Sequence, residues 1–478
     1  MKKIISLLLL SVISGVHISC AQEKAPFSIH PESFQVDPSK KIIVLNIDAI
    51  ESDPETPLST ITLDTTYHFE TPIASLSNSE VYPVSVGEEQ FSLYVTKSPI
   101  LSITVKDDIV DFPKKNAEFH YYDADTTFTS AAGIELRGNL SLTYPKKSFN
   151  VEFYTDTISK GKKEIDFKDL RKEDDWILDG LYNEPLFVRA NFSQTLWKDM
   201  YEPHYASEEP KARSTIDGFY ADLFIDGEYR GVYFFSEKIN RSLLKLKKMK
   251  DGVANGLLFK ASNYVNGTAF KGAPEFNNNL PMWGGFEMKY PFEDYVAHYD
   301  DFYKAVKFVA ESNPKAFEAE IDSYFVVDNL MNYFLYINLI RATDNLGKNY
   351  YMARYDKETP FFIVPWDLDG VLGTIQDGKR IATTNDILSN NLFDRLWNEN
   401  PNNYRSKAIT RWKELRRGEF SDEKISNRIE ENYLKLKENN FYERDAKVWN
   451  VSHDEENLTY LKEWLENRLL YLDGYFKE

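Results

Sequence analysis

The stretch from 326 to 370 restricts this chain more than any other. Val326, Val327, Leu330, Met331, Phe334, Leu335 and Ile337 fall at helical spacing and give a broad apolar face, so a helix here must be buried along most of its length. The pattern stops at Arg341-Ala342-Thr343, and Asp344-Asn345-Leu346-Gly347-Lys348 reads as a loop. Two β-prone runs follow, residues 349–355 and 361–365, on either side of Asp356-Lys357-Glu358-Thr359-Pro360, a turn by composition. Trp366-Asp367-Leu368-Asp369-Gly370 comes next. An antiparallel hairpin centred on that turn sets Tyr355 opposite Phe361 and Asn349 opposite Asp367, with facing Cα atoms roughly 4.5–5.5 Å apart. Asp344 lies in the loop just before that open end, and Asp369 is a fourth oxygen donor beside it. Carboxylate and amide oxygens suit Mg²⁺ or Mn²⁺, which complete their shells with water and phosphate.

The spacing Asp344-x-x-x-x-Asn349, followed by a hairpin ending in an acidic residue, has the logic of a protein-kinase catalytic loop and its metal-binding segment. In that logic Asp344 orients the attacking hydroxyl, and Asn349 and Asp367 hold metal. The pattern is short, and a plain acidic turn satisfies it equally. Such a site also needs a cation for the phosphates. Residues 144–153 read as a strand with Phe149, Val151 and Phe153 inward, and a period of two puts Lys147 on that face and Lys146 on the other. A lysine on an apolar face calls for an anionic partner or ligand, unless it sits at the strand end and reaches solvent. Arg137-Gly138-Asn139 offers a second cation beside a flexible turn, for phosphates or to brace the loop. Glu237 follows a hairpin signalled by Asp226-Gly227. It either holds the lysine or is a solvated charge.

Around this stretch the texture changes in order. Residues 25–96 read as short strands separated by Pro, Gly, Ser, Asn and Asp clusters, a small all-β domain of sandwich type in which no site is visible. Strand-like segments then alternate with loops up to about residue 290. Helical periodicity takes over at 293–312 and 322–342, returns at 390–440 and closes the chain at 454–476, where Leu458, Leu461, Leu465, Leu469 and Leu472 mark one face. Strands first and helices later imply an α+β or two-lobed body.

Met1-Lys2-Lys3 followed by an apolar run over 4–16 has the form of a signal peptide, too short for a bilayer anchor. Cleavage after Ala21 and lipidation at Cys20 compete. Either way the expectation is export to the periplasm, the cell surface or the medium, with membrane attachment only through a lipid on Cys20. A single Cys leaves no disulfide within the chain and no zinc finger. The 75 acidic residues against 57 basic ones, a formal charge of −18, argue against generic nucleic-acid binding. No His-Glu-x-x-His occurs, which argues against a zinc hydrolase.

Six motifs appear in order: Gly133-Ile134-Glu135-Leu136-Arg137-Gly138-Asn139; Pro145-Lys146-Lys147-Ser148-Phe149; Asp175-Trp176-Ile177-Leu178; Arg189-Ala190-Asn191; Asp226-Gly227-Glu228-Tyr229-Arg230-Gly231-Val232-Tyr233 with Glu237; and Pro365-Trp366-Asp367-Leu368-Asp369-Gly370. Together they resemble the CotH kinases, the spore-coat-protein-H-like atypical protein kinases, over most of residues 98–476. Arg411-Trp412 and Arg444-Asp445 also look like that family. The resemblance implies a divergent protein-kinase-like two-lobed body at 98–478, after a signal peptide at 1–21 and the β domain at 22–97. It implies ATP with Mg²⁺ or Mn²⁺, and transfer to Ser or Thr of an exported or surface protein. Mapped onto this chain, Asp344 and Lys147 are catalytic. Arg137, Lys146, Lys147 and Glu237 meet the nucleotide, and Asn349, Asp367 and Asp369 hold metal. Two positions depart from the family: Asp226 where Asn is usual, and Tyr182-Asn183-Glu184-Pro185 in place of an Asp-bearing loop. The competing reading is a non-catalytic surface or periplasmic binding protein, glycan-related, on the same scaffold. A glycosidase using a carboxylate pair has little weight in so acidic a chain.

Overall fold

The computed structural model describes residues 29–49, 57–168, 170–292, 296–453 and 455–477. The expected signal segment, with Cys20, lies outside the described residues. Strands β1 (Phe34–Asp37), β2 (Ile42–Asn46), β3 (Leu58–Thr62), β4 (Thr66–Ile73), β5 (Val81–Val86) and β6 (Glu89–Thr96) form one sheet in the order β1-β2-β6-β5-β4-β3. It is a single sheet rather than the expected sandwich. One face of β2, with Ile43 and Leu45, packs on Phe91, Leu93 and Tyr67, while Ile42 and Val44 on the other meet Phe224 and Tyr229 of the next body. A sheet covered by a neighbouring body needs no second sheet of its own.

That next body is a closed barrel of β7 (Ile100–Val105), β8 (Lys115–Tyr122), β9 (Thr127–Arg137), β10 (Ser148–Tyr154), β11 (Asp175–Asp179), β12 (Gly218–Ile225) and β13 (Glu228–Ser236), in the order β10-β11-β13-β12-β7-β8-β9. Alternate residues fill it: Phe149, Val151 and Phe153 point inward as expected, against Phe119, Phe167, Trp176 and Phe235. Asp226 and Gly227 turn β12 into β13 at φ +52° and +77°. The Asp226 side chain also accepts a hydrogen bond from the Val105 amide at 2.8 Å, so an Asp serves at this tight turn.

A third sheet holds β14 (Leu257–Ala261), β15 (Met282–Trp283), β16 (Phe286–Tyr290), β17 (Tyr350–Arg354) and β18 (Phe361–Pro365), in the order β15-β16-β14-β17-β18. The helices are α1 (Arg189–Met200), α2 (Arg241–Leu244), α3 (Asp300–Glu311), α4 (Pro314–Tyr324), α5 (Val327–Ile340), α6 (Asn391–Glu399), α7 (Tyr404–Arg417), α8 (Asp422–Glu438), α9 (Phe441–Trp449) and α10 (Glu455–Tyr475). As expected, α5 is buried through most of its length, and Leu461, Leu465, Leu469 and Leu472 of α10 lie in the same core. The α1 helix interrupts a region read as strands and loops. The whole is a mixed α+β architecture, with a sheet and a barrel first and most helices later.

Candidate active-site cleft

Arg354 pairs with Phe361 and Tyr350 with Pro365 in the β17–β18 hairpin. The register is one residue off the expected one. Tyr355 leaves the ladder, its carbonyl accepting from the Lys247 amide, so the turn takes six residues and Asn349 faces Trp366 instead of Asp367. Alone, a one-residue slip would throw side chains to the opposite face. Here the backbone corrects it, since Asn349 and Asp367 adopt left-handed conformations at φ +59° and +57°. Both side chains line one cleft. The Trp366 amide donates to the Asn349 carbonyl at 3.1 Å. The buried Asn345 amide donates to the Asn349 and Trp366 carbonyls at 2.5 and 2.7 Å, and Tyr333 of α5 donates to the Asn345 carbonyl. The expected loop at Asp344 is a short 3₁₀ turn, Thr343–Leu346.

The cleft has a volume of about 610 Å³, within the usual range for small-molecule sites. Arg137, Ser148, Asn150, Asp175 and Asp179 line it from the barrel. Lys260, Lys289, Asn349, Tyr351 and Trp366 line it from the third sheet, with Asp344, Lys348, Asp367 and Asp369 at the hairpin mouth. Asp344, Asn349, Asp367 and Asp369 therefore come to one cavity. Asp344 is in an ion pair with Lys348 at 2.9 Å. Asp367 is exposed at the cleft. The protein atoms crowding around it in the cleft disfavour its charge and raise its pKa. Arg137 and Lys260 pull it back, while Asp179 and Asp344 push it up. Burial and then the charge of Asp367 push Asp369 up to about 7, against a hydrogen bond from Asn183 at 2.8 Å. Asn183 belongs to the segment that departs from the family pattern, so its role here is to hold Asp369. Arg137 lies over the Trp366 ring, 5.4 Å from its centroid.

Two expected positions fall elsewhere, and a third, Lys146, turns its charge away from the cleft. Strand β10 starts only at Ser148, so strand alternation does not govern the lysines before it. Lys147 donates to the Leu142 carbonyl at 2.6 Å and is not among the cleft-lining residues. Lys146 borders the cleft, but its ammonium is turned inward, 1% exposed, onto Asp445 at 2.5 Å and the Val232 carbonyl at 2.7 Å. Glu237 is fully buried and holds Arg213 at 3.0 Å, Arg171 at 3.5 Å and the Asp217 amide at 2.9 Å. It is tied to two arginines rather than to either lysine, because it continues β13 on the side where those arginines lie.

Two cleft residues, and a buried one behind the hairpin mouth, escaped the sequence reading. Lys260 interrupts the apolar run Leu257-Leu258-Phe259-Lys260-Ala261, the same signal that drew attention to Lys147. Asp179 closes the motif run that begins at Asp175. Asn345 lies between two residues singled out for chemistry, and nothing local announces its clamp on the hairpin mouth.

Among the described residues, no group of three or more His, Cys, Asp or Glu side chains is close enough to hold a metal ion. The donor set that does converge is two or three carboxylates with an amide oxygen. Burial first, and then neighbouring negative charge, raise the pKa values of Asp367 and Asp369, a charge pattern that a hard cation relieves.

A family model described as CotH kinase protein matches residues 134–472, beginning inside β9. The inner spore coat protein H of Bacillus subtilis (strain 168) is 25% identical over 251 residues, which cover 52% of this chain. The match spans 61% of that relative's length. With the family model matched over most of its length, the chain belongs to the CotH kinase family.

Proposed function

We propose that the protein transfers a phosphoryl group from ATP to Ser or Thr hydroxyls of exported or surface proteins, with Mg²⁺ or Mn²⁺. The observation that carries this reading is the meeting of Asp344, Asn349 and Asp367 in one cleft between barrel and sheet. Two facing walls of different architecture also support a kinase-like two-lobed body. A divalent ion, when bound, would neutralise charge on the phosphates. Asn349 and Asp367 would hold it, with Asp369 supporting them. Asp344 would accept the proton of the acceptor hydroxyl. The acceptor oxygen then bonds to the γ-phosphorus, and ADP leaves with the electron pair of the broken P–O bond. Much of the rate gain would come from positioning in the cleft. A spore-coat relative favours a surface-associated setting, and among the described residues no helix is long and apolar enough to cross a membrane.

Calorimetric titration with Mg-ATP, together with labelled-phosphate transfer to exported proteins, tests this. Asp367→Ala is expected to abolish metal-dependent ATP binding. Asp344→Ala should keep binding and lose transfer by ~10²-fold or more. If both variants behave as wild type, the non-catalytic binding protein is the better reading.

A further inference from the structure

Strand β14 sorts its side chains by alternation. Leu257, Phe259 and Ala261 enter the helical core, and Leu258 packs on the opposite face with Tyr351 and Trp366. Lys260 shares the face of Leu258, opposite Tyr351 on β17 and Glu287 on β16. That face is the floor of the cleft.

The other lysines at or beside the cleft are all engaged. Lys146 holds Asp445 and Lys147 the Leu142 carbonyl. Lys238 pairs with Asp175 at 2.7 Å, Lys289 with Glu287 at 2.5 Å and Lys348 with Asp344 at 2.9 Å. The Lys260 ammonium forms no hydrogen bond or ion pair with any described residue. Asp367 and Glu287 attract it only from beyond ion-pair distance, while Lys289 and Arg137 repel it. A half-buried ammonium with no partner is costly. The cost is offset when a multiply charged anion enters, and the lysine then needs no competing bond to be broken.

We infer that Lys260, and not Lys147, is the residue that grips the phosphate oxygens of the nucleotide. This rests on the phosphoryl-transfer reading above and gives it a lysine in the cleft beside Arg137. Burial also lowers the Lys260 pKa, as expected for an ammonium waiting for its counter-charge.

Calorimetry with Mg-ATP, Mg-ADP and adenosine on the full chain tests the assignment, using Lys260→Met, Lys260→Arg and Lys147→Met. Methionine keeps the aliphatic stem, and thermal melts confirm that each variant is folded. Lys260→Met is expected to weaken Mg-ATP by ~10-fold or more while leaving adenosine within about twofold, since only the phosphates lose a charged partner. Lys260→Arg should recover most of that loss, and Lys147→Met should match wild type. The assignment fails if Lys260→Met binds Mg-ATP normally, if it loses ATP and adenosine alike, or if the loss appears in Lys147→Met. A wild-type protein that binds no Mg-ATP sinks the phosphoryl-transfer reading and this assignment together. Normal wild-type binding with an unaffected Lys260→Met sinks this assignment alone.

Discussion

Asn349 and Asp367 are placed by backbone as much as by side chain. Both occupy the left-handed region, which short polar residues tolerate and β-branched ones do not. The two conformations return the side chains to the cleft after the hairpin register slips by one. The sequence made the convergence visible, since residue types and spacing are local facts. It hid the register, because whether Tyr355 joins the ladder or the turn depends on Lys247, a residue more than a hundred positions away. It also hid which lysine enters the cleft. Lys147 and Lys260 carry the same signal, and only the start of β10 and the placement of β14 tell them apart. Glycine adopts a positive φ without strain, so Asn349→Gly separates geometry from chemistry. Its folding stability is expected to stay within ~1 kcal/mol of wild type. Metal-dependent ATP affinity should fall by ~10-fold, the size expected when a supporting ligand oxygen is lost. Denaturant melts and calorimetry on the same sample read both quantities. A large stability loss would show that the amide is structural.

Two consecutive residues of α9 fasten that helix to the barrel. Arg444 makes a fully buried pair with Asp222, with nitrogens at 2.6 and 2.8 Å from the carboxylate oxygens. Asp445 accepts from Lys146 and from the Val232 amide at 2.9 Å. Gly231 must lack a side chain here, as a Cβ would meet the Asp445 carboxylate at 2.3 Å. Arg444-Asp445 and Pro145-Lys146-Lys147 were both visible as motifs, but their mutual contact joins positions far apart in the chain. Helix α1 was missed for a different reason. Phe192, Leu196, Trp197 and Met200 do carry helical spacing, but Val188 at its N-terminus makes no side-chain cap, so the usual start signal was absent. If Lys146 is an anchor for α9, Lys146→Met leaves a buried carboxylate without its cation. Chemical denaturation should then show a loss of ~3–5 kcal/mol. The double variant Lys146→Met with Asp445→Leu should recover part of it, since an apolar pair replaces a broken ionic one. A neutral single variant would mean the ion pair is idle and would reopen Lys146 as a nucleotide ligand.

At the scale of the whole molecule, the order of strands and helices was legible because periodicity is local. Which strands become neighbours was not. The barrel closes partly through a parallel β12–β7 pair, and β14 lies between β16 and β17, each drawn from distant chain. The first sheet shows how such long-range contacts hold the bodies together. None of its residues lines the cleft, yet Asp37 of β1 accepts from the Tyr229 amide of the barrel at 2.8 Å. Burial alone would raise the Asp37 pKa. Hydrogen bonds from Ser39, the Lys40 and Tyr229 amides and the Lys40 ammonium outweigh it and hold the carboxyl at about 2. A carboxyl whose folded pKa lies below its unfolded one stabilises the fold above the unfolded value of 3.8, and that contribution is lost as pH falls toward 2. The depression corresponds to ~2 kcal/mol at neutral pH. Asp37→Asn is therefore expected to unfold at lower denaturant by about that amount at pH 7, with the gap to wild type steady down to about pH 4 and narrowing below it. Mg-ATP affinity should not change, because no residue of the first sheet lines the cleft. A gap that persists undiminished in acid would show that Asn fails by shape rather than by charge. Altered nucleotide binding would mean that the first sheet reaches the site through the barrel wall.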